Sequence, residues 1–397
     1  MKKRYQKILS CLLSYILLIS LLAVSPAMEI STKAAPADNG KKACWISFLD
    51  IEVFLQDKTE KEFRAKVSEM YDNVIEYGMN TVIVHVRALG DAMYPSDYYP
   101  WAAYFTTDRT DPGYDPLQIM IDLAHAKNLQ FEAWINPYRL SRNNESTTSF
   151  KATPYYELFR PFTIEYKASA RQTCLVLDPA KQETRDLITN GVREIVSKYD
   201  VDGIHFDDYF YVPGMADDLD LASKKANVNL LISQVYETIK SIKPDCTFGI
   251  SPAGNPDSAR KQGADIDTWL STPGYIDYIM PQIYWTDIYV TSKGTEHMFT
   301  NRCSAWLEIN KQDLPMYVGL ALYQAGATSK SDLGWATSDT NLAYQYLTAK
   351  QLGYDGYSLF RYAWLEKDIA TAELNNLKVY SAPLISDGAA SDTAWNE

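Results

Sequence analysis

The chain has 397 residues, a formal net charge of −12 and a hydrophobic content of 46%. This negative charge argues against nucleic acid or an anionic lipid surface as a binding partner. The length is too great for one small domain and fits one large α/β barrel with insertions.

The N-terminus predicts a secretory signal peptide. Basic residues at positions 2, 3, 4 and 7 precede the apolar run Ile8–Val24, and small residues follow it. This order is typical of a cleaved signal, so we predict that residues 1–27 are removed, with cleavage as late as residue 37 as the alternative. We therefore expect a protein that is secreted or associated with the cell envelope, with no stable membrane insertion after cleavage. A retained anchor is the other interpretation, because about 18 apolar residues can span a bilayer.

Eight short apolar runs alternate with helical patterns along the rest of the chain. The predicted strands are Cys44–Asp50, Thr81–Ala88, Phe131–Pro137, Asp202–Asp208, Thr247–Pro252, Tyr278–Trp285, Met316–Leu322 and Gly356–Tyr362. This alternation favours an α/β fold, a (β/α)₈ TIM barrel, over residues 42–376. An open doubly wound sheet is the alternative, but no glycine-rich phosphate loop follows any of these strands.

Capping residues predict where several helices begin and end. Thr59 can cap a helix that ends at Gly78, and Asp115 followed by Pro116 opens a helix that runs to about Asn128. Further helices are predicted at Glu183–Tyr199, Ala226–Ile242 and Ser338–Leu352.

Two long stretches interrupt the alternation of strands and helices. They are Tyr138–Thr173 after strand three and Asp208–Ala226 after strand four. Both follow the carboxyl ends of strands, which is the face on which barrels carry their active sites. Residues 377–397 are small and polar and predict a flexible C-terminal tail.

Side-chain alternation predicts a barrel interior that is unusually polar. In strand four, Ile204 and Phe206 share one face, and His205, Asp207 and Tyr209 share the other. If the apolar face meets the helices, the polar set points inward. The same pattern predicts that the following residues also point inward: His85, Arg87, Glu132, Trp134, Asn136, Gln282 and Tyr284. Barrel interiors are normally filled by branched apolar residues, so this set indicates a site or a buried hydrogen-bond network.

Asp207 and Asp208 are adjacent carboxylates at the end of strand four. Crowding of two carboxylates raises one pKa, which gives one acid and one base from identical side chains. We predict that Asp207 is the catalytic residue, with Asp208 as the alternative and Glu132 as a further candidate.

Aromatic residues are numerous, with 29 Tyr, 13 Phe and 9 Trp. Many occur in clusters of turn-like composition, and sugars present C–H faces that stack on aromatic rings. Aromatics also dominate other binding surfaces, so composition alone leaves carbohydrate as one of several ligands. The predicted substrate-binding residues are Arg87, Asn136, Tyr138, His205, Tyr209, Tyr211, Asn255, Gln282, Tyr284 and Trp285.

Five motifs in order carry a resemblance to a known family. They are Val86–Trp101, Glu132–Arg139, Tyr199–Tyr211, Phe248–Gly254 and Asp277–Trp285. With them the chain resembles the glycosyl-hydrolase-like family-ten domain of bacterial envelope proteins, a divergent (β/α)₈ barrel. The resemblance implies a secreted or envelope-bound glycoside hydrolase, with peptidoglycan glycan strands as the leading substrate and another polysaccharide as the alternative. Many relatives carry His where this chain has Glu132, so the family itself implies no role for that residue.

Two other enzyme classes fit the motifs poorly. The run His205–Asp208 resembles the first motif of metal-dependent polysaccharide deacetylases, which need a close pair of histidines to complete the metal site. The four histidines here are widely spaced, so we expect neither a metal nor a cofactor. A chitinase-like barrel would place a glutamate two residues after Asp207, where this chain has Tyr209.

A non-catalytic barrel that binds glycan remains the alternative from another functional class, because fold alone does not establish activity. A glycoside hydrolase needs two carboxyl groups, about 5–5.5 Å apart for retention or about 6.5–9.5 Å apart for inversion. The sequence offers Asp207 and several weaker partners, which are Asp208, Glu132, Asp50, Glu52 and Asp287.

Overall fold

Parallel strands form the centre of the fold, and helices surround them. The structure, a computed structural model, describes residues 40–142, 151 and 153–382. The predicted signal peptide and residues 383–397 of the predicted tail lie outside the described residues. None of the helices in the described part of the chain is long and apolar enough to cross a membrane.

The strands, in chain order, are β1 (Lys41–Ile46), β2 (Thr81–Arg87), β3 (Gln130–Ile135), β4 (Thr163–Ser169), β5 (Gln172–Leu177), β6 (Gly203–Phe206), β7 (Thr247–Ile250), β8 (Tyr278–Ile279), β9 (Tyr289–Thr291), β10 (Gly294–Glu296), β11 (Tyr317–Leu320) and β12 (Gly356–Phe360). Eight of them form one sheet in the order β11–β12–β1–β2–β3–β6–β7–β8, and every pair in it is parallel. The other four form two antiparallel hairpins, β4–β5 and β9–β10.

The helices are α1 (Phe48–Phe54), α2 (Glu60–Glu76), α3 (Pro116–Ala126), α4 (Tyr156–Phe159), α5 (Gln182–Lys198), α6 (Leu221–Ile242), α7 (Pro256–Lys261), α8 (Ile266–Trp269), α9 (Met298–Ile309), α10 (Gly334–Thr337), α11 (Asn341–Leu352) and α12 (Thr371–Ser381). Four short 3₁₀ helices are Arg160–Phe162, Leu322–Gln324, Tyr362–Trp364 and Asp368–Ala370.

The eight-stranded sheet closes on itself almost completely. Its edge strands β8 and β11 and the residues beside them meet through two parallel bridges, Ile279 with Met316 and Gln282 with Gly319. Strand β8 is only two residues long, where the sequence predicts a strand to Trp285. Pro281 has no N–H to donate to a ladder, so regular pairing stops before it. The predicted (β/α)₈ barrel is therefore confirmed as a nearly closed eight-stranded parallel barrel with flanking helices.

The two faces of the barrel strands separate as the side-chain alternation predicts. Ile204 and Phe206 are fully buried in the core cluster that the helices share. Trp45, Trp134 and Tyr278 belong to a second cluster, which lies inside the barrel. Gly249 of β7 makes room for it, because a Cβ at that position would lie 1.9 Å from Cζ of Tyr278.

The beginning of the barrel differs from the prediction of a strand over Cys44–Asp50. Strand β1 ends at Ile46, and helix α1 begins at Phe48. Ser47 is the N-cap, and its backbone N–H donates to the Asp50 carboxylate at 2.8 Å in a capping box. This local bonding stops the strand, because the capped backbone turns into a helix.

Other helix boundaries follow the predicted caps closely. Thr59 caps α2 through the N–H of Glu62, and Asp115 caps α3 with Pro116 in its first turn. Helix α6 starts at Leu221, earlier than predicted, because Asp220 accepts from the N–H of Ser223 and caps it.

The last helix continues beyond residue 377, where the sequence predicts that a flexible tail begins. Helix α12 ends at Ser381, and Leu377 is buried against the core. The ammonium group of Lys42 in β1 also donates to the backbone carbonyl of Ser381. These contacts hold the end of α12 against the barrel. Residues 377–381 are therefore helical.

Candidate active site

A cavity of about 240 Å³ opens where the barrel strands end. Its lining consists of Trp45, Ser47, Phe48, Leu49, His85, Trp134, Arg139, Asp207, Asp208, Tyr209, Ser251, Gln282, Tyr284 and Phe360. Ser47 follows β1, Asp207 follows β6 and Ser251 follows β7, and Phe360 is the last residue of β12. The cavity therefore lies at the carboxyl ends of the strands, the position at which barrels of this kind carry their sites.

Asp207 is the most extensively bonded carboxylate of the cavity. It is 7% exposed and accepts from the side-chain amide of Asn136 at 3.1 and 3.0 Å. The indole N–H of Trp134 donates to it at 3.2 Å, and so does the backbone N–H of Tyr209. These donors come from the ends of β3 and β6, which are neighbouring strands. The carboxylate is therefore held by side-chain and backbone donors at the ends of two neighbouring strands.

Asn136 is itself oriented by two other groups. Its side-chain oxygen accepts from the backbone N–H of Arg139 at 3.0 Å, which turns its NH₂ group towards Asp207. Arg87 donates to the backbone carbonyls of Asn136 and Pro137 at 2.6 and 2.7 Å. Arg87 and Asn136 thus support the site from outside the cavity lining.

The pKa of Asp207 is raised to about 7. Burial is the largest cause, and the negative charge of Asp208 is the second. Hydrogen bonds from Tyr209 and Asn136 and the charge of Arg139 oppose the rise. The crowding of the two carboxylates thus acts in the expected direction, but desolvation contributes more. Asp207 can consequently hold or release a proton near neutral pH.

Asp208 lines the same cavity as Asp207. Burial also raises its pKa, while a hydrogen bond from Gln282 and the charge of Arg139 lower it. Gln282 is held in place because its NH₂ group donates to the carbonyl of Ser251 at 2.8 Å. Among the described residues that line the cavity, Asp207 and Asp208 are the two carboxylates.

His85 forms the wall beside Asp207. Its ring stacks on that of Trp134 with 3.5 Å between centroids, and its Nε2 lies 3.9 Å from Asp207 Oδ2. Its Nδ1 accepts from the backbone N–H of Phe48 at 3.4 Å, which assigns the proton of the neutral ring to Nε2. Burial lowers the pKa of His85 well below its usual range, and the charge of Arg139 adds to this effect. The ring is therefore neutral and presents an N–H to the site.

Glu132 lies deeper in the barrel and does not line the cavity. Its carboxylate pairs with the ammonium group of Lys41 and accepts from the hydroxyl of Tyr278. In the pairing of β3 with β6, Glu132 lies opposite Gly203, four residues before Asp207. Because Glu132 is bound by Lys41 and Tyr278 and lies outside the cavity lining, the structure does not place it in the cavity beside Asp207.

His205 also lies below the cavity. Its Nδ1 is 2.8 Å from the hydroxyl of Tyr278, and its Nε2 is 2.9 Å from the hydroxyl of Ser251. Burial is the main cause that lowers the pKa of His205 well below its usual range. His205 belongs to a buried hydrogen-bond network and supports Ser251, which lines the cavity.

Of the five aromatic residues predicted to bind substrate through a tyrosine or tryptophan ring, Tyr209 and Tyr284 line the cavity and three do not. Tyr138 is fully buried and packs edge-on against Phe210. Tyr211 is 2% exposed, and its hydroxyl accepts from Asn227 at 2.9 Å. Trp285 accepts through its backbone carbonyl from Gln345.

Asn255, the last of the predicted substrate-binding residues, caps helix α7 by accepting from the N–H of Asp257 at 3.0 Å. Other weak carboxylate candidates also have structural partners. Asp50 pairs with Arg361, and Glu52 pairs with Arg142. Asp287 accepts from the N–H of Thr300. Asn255 and these carboxylates lie outside the cavity lining.

Arg139 is a lining residue that the sequence prediction missed. Its guanidinium lies 4.8 Å from the centroid of the Tyr209 ring. The feature of the sequence that could have identified Arg139 is its position directly after Asn136-Pro137-Tyr138, at the carboxyl end of predicted strand three. Ser251 and Phe48 were also missed as lining residues, because both were assigned to strands, whereas the observed strands end at Ile250 and Ile46.

The arrangement suits proton transfer between a carboxyl group and a bound molecule. Asp207 can donate a proton near neutral pH, and Asp208 supplies a second carboxylate beside it. The rings of Tyr209, Tyr284 and Phe360 give the cavity apolar faces. Within residues 40–142, 151 and 153–382, no group of three or more His, Cys, Asp or Glu side chains is placed to hold a metal ion.

Comparison with known proteins identifies related sequences. The family model described as Glycosyl hydrolase-like 10 matches residues 41–219 and 212–337. The chain is 32% identical to Glycosyl hydrolase YngK of Bacillus subtilis (strain 168) over 77% of its own length and 66% of that protein. It is 34% identical to Glycosyl hydrolase DigH of Escherichia coli (strain K12) over 68% of its own length and 70% of that protein. The chain thus spans about two thirds of the length of these relatives.

Solved structures share the fold at low sequence identity. The glycoside hydrolase domain of PgaB (BpsB) from Bordetella bronchiseptica matches with a TM-score of 0.56 and 12% identity, over 85% of this chain and 98% of that one. The endo-1,4-beta-mannanase from Rhizomucor miehei matches with a TM-score of 0.52 and 11% identity, over 86% of this chain and 95% of that one. At such identities the likeness establishes the fold alone.

Proposed function

The chain belongs to the glycosyl hydrolase-like 10 family, and we propose that it is a secreted or envelope-associated glycoside hydrolase. Its substrate is a bacterial cell-wall polysaccharide, with peptidoglycan glycan strands as the leading candidate. The single observation that carries the proposal is Asp207, a carboxyl group with a pKa of about 7 that lines a cavity with aromatic walls. Perturbed carboxyl groups in such cavities are the usual catalytic acids of glycosidases.

Asp207 acts in this proposal as the general acid. Its proton passes to the glycosidic oxygen as the bond from that oxygen to the anomeric carbon breaks, so the leaving sugar departs as a neutral alcohol. Asn136 and the indole N–H of Trp134 donate to the carboxylate that remains, which stabilises its new charge. Water then adds to the anomeric carbon, and one proton of that water returns to the active-site carboxylate pair.

Asp208 is the second carboxylate of the proposed reaction. In its ionised form it stabilises the positive charge that develops on the sugar ring, either by direct attack or through a water molecule. The amide of Gln282 donates to Asp208 and favours this ionised form. Burial and the charge of Asp208 raise the pKa of Asp207, and this supports the acid role for Asp207 and the anionic role for Asp208.

Replacement of Asp207 by Asn tests the proposal. Asn is nearly isosteric with Asp but cannot exchange a proton at neutral pH. General acid–base assistance contributes about 10²- to 10⁴-fold, so we expect Asp207→Asn to lower turnover by at least that factor in a folded protein. The measurement is the release of soluble fragments from purified peptidoglycan, first stripped of its stem peptides and then intact.

The matched control is Asp287→Asn, because Asp287 is a buried carboxylate outside the cavity lining. We expect this variant to keep wild-type turnover per folded molecule. Activity that survives in Asp207→Asn would transfer the acid role to Asp208. A wild-type protein that releases nothing from either substrate would contradict the hydrolase proposal and favour a barrel that binds glycan without cleaving it.

A further inference from the structure

Arg139 brings a positive charge into a cavity that otherwise holds two carboxylates. It is the one lysine or arginine among the described residues that line the cavity. His85 beside it is neutral, because its pKa is lowered well below the usual range by burial and by Arg139 itself. Any anionic group of a ligand in this cavity would therefore meet a single cation.

The guanidinium of Arg139 is held in place without using its outer nitrogens. Its Nε donates to the carbonyl of Ser141 at 3.3 Å, and its Cζ lies over the ring of Tyr209, 4.8 Å from the ring centroid. The ring centroid of Phe48 lies 5.8 Å from Cζ of Arg139. Across the described parts of the chain, Nη1 and Nη2 have no hydrogen-bond partner, so the outer edge of the guanidinium is available to a ligand.

Arg142, three residues along the chain, is a guanidinium in the same region whose outer nitrogens both have hydrogen-bond partners. It lies 5.1 Å from the Phe48 ring centroid. Its Nη1 and Nη2 donate to both carboxylate oxygens of Glu52 at 2.9 and 2.8 Å. Planar two-point contacts of this kind are the geometry that guanidinium groups favour with carboxylates. Arg139 has no such partner in the cavity, although Asp207 and Asp208 line it.

The charges around the cavity indicate what the outer nitrogens of Arg139 can bind. The chain carries a net charge of −12, and two carboxyl groups line the cavity. An anionic ligand would be repelled unless a cation contacted it directly. Because Nε of Arg139 is used by Ser141 and the outer nitrogens are not, these two nitrogens can donate together to a planar group such as a carboxylate.

We propose that Arg139 binds a carboxylate carried by the sugar chain and so determines which glycans the cavity accepts. This inference rests on the proposed glycan-cleaving function and goes beyond it by naming a charged group of the substrate. Two kinds of glycan carry such a group: muramic acid strands, through the lactyl ether, and uronic acid polymers, through C6. Both present the same chemistry to Arg139.

The experiment compares substrates that differ only in this charge. Peptide-free glycan strands are assayed before and after conversion of their carboxyl groups to methylamides, and chitin oligomers of equal length serve as a second neutral substrate. Hyaluronan oligomers provide the uronic acid source. A charged hydrogen-bond pair corresponds to about 10- to 100-fold in affinity, so we expect the wild type to favour the free carboxylate by that factor in kcat/KM.

Arg139→Gln should remove this preference. We expect its kcat/KM on the free-carboxylate strands to fall by about 10- to 100-fold more than its kcat/KM on the methylamide strands. The loss of a positive charge near Asp207 and Asp208 affects both substrates alike, so the ratio between them isolates the substrate carboxylate. Arg139→Lys should restore part of the preference, since it keeps the charge and loses the two-point contact. Arg142→Gln is the matched control and should keep the full preference, because Glu52 already neutralises Arg142.

Three outcomes would overturn the inference: equal losses on charged and neutral strands in Arg139→Gln, a wild type that does not distinguish them, or a preference that persists in Arg139→Gln. Failure of the hydrolase proposal is recognised separately by measuring binding of the same oligomers to Asp207→Asn protein. Charge-selective binding without any wild-type turnover supports the role of Arg139 and contradicts only the hydrolase proposal. Turnover without charge selectivity supports the hydrolase proposal and contradicts the role of Arg139.

Discussion

The side-chain amide of Asn136 donates to both carboxylate oxygens of Asp207, at 3.1 and 3.0 Å. The two residues follow neighbouring strands, β3 and β6, and the contact joins the ends of those strands. It opposes the effect of burial, which raises the pKa of Asp207 to about 7. Asn136 therefore tunes the acidity of Asp207 as well as its orientation.

The rate should depend on pH through both carboxyl groups. A general acid must be protonated, so we expect kcat/KM to fall as the pH rises above about 7, where Asp207 loses its proton. On the acidic side, kcat/KM should fall when Asp208 takes up a proton, and burial raises the pKa of that group. A profile measured from pH 4 to 9 checks this expectation. A rate that instead rises through pH 7 to a plateau would assign Asp207 the role of base or nucleophile.

Asn136→Ala should move the basic limb of that profile. The hydrogen bond from Asn136 lowers the pKa of Asp207, so its removal raises that pKa and shifts the loss of activity to higher pH. We also expect kcat to fall about 10-fold or more, because the carboxylate loses its orientation. The measurement is the pH profile of kcat/KM for the variant beside the wild type.

Asn255→Ala is the control for Asn136→Ala. Asn255 caps helix α7 outside the cavity lining, and loss of an N-cap costs about 1 kcal/mol of stability. Its pH profile should match that of the wild type. A shift of the basic limb in Asn255→Ala, or an unchanged limb in Asn136→Ala, would contradict the assigned role of Asn136.

Asp207 should make the protein less stable as the pH rises. Its pKa is about 7 in the folded state against an ordinary value of 3.8, so the folded protein holds this proton more tightly than the unfolded chain. Between about pH 4 and 7 the free energy of unfolding therefore falls with rising pH, by at most about 4 kcal/mol at about 1.4 kcal/mol per pKa unit.

Asp207→Asn should remove this pH-dependent loss. We expect the variant to exceed the wild type in stability at pH 8 by about 1–2 kcal/mol, less than the upper limit, because the new NH₂ group faces hydrogen-bond donors. At pH 4 the difference should shrink or reverse. Urea unfolding at the two pH values measures it, and an equal difference at both would show that ionisation of Asp207 is not the cause.

Glu132→Gln should affect stability far more than chemistry. Glu132 is 1% exposed and pairs with Lys41, so loss of its charge leaves a buried ammonium group without a counter-ion. Breaking a buried pair in this way costs about 3–5 kcal/mol. Denaturant unfolding should show this loss, while kcat of the folded fraction stays within about 3-fold of the wild type. A kcat lowered 100-fold at unchanged stability would restore Glu132 as a catalytic residue.

Local sequence patterns determined the fold and the outward face of the barrel strands. Alternation placed Ile204 and Phe206 in the core that the helices share, since side chains on a strand point to opposite faces by geometry alone. The caps at Thr59 and Asp115 could also be predicted from the sequence, because each cap and its N–H donor lie within three residues of one another. Asp207 was also found at the end of a strand, where barrels carry their sites.

Only the tertiary structure decided which inward residues meet. Alternation gives the face of a strand but not the depth at which each side chain lies, so Glu132 remained a further catalytic candidate beside Asp207. Closure of the barrel pairs Glu132 with Lys41 and Tyr278 and leaves Asp207 at the open end with Asp208. Arg139 enters the cavity, whereas Trp285 does not line it, because the paths of the connecting segments depend on contacts between residues far apart in the chain.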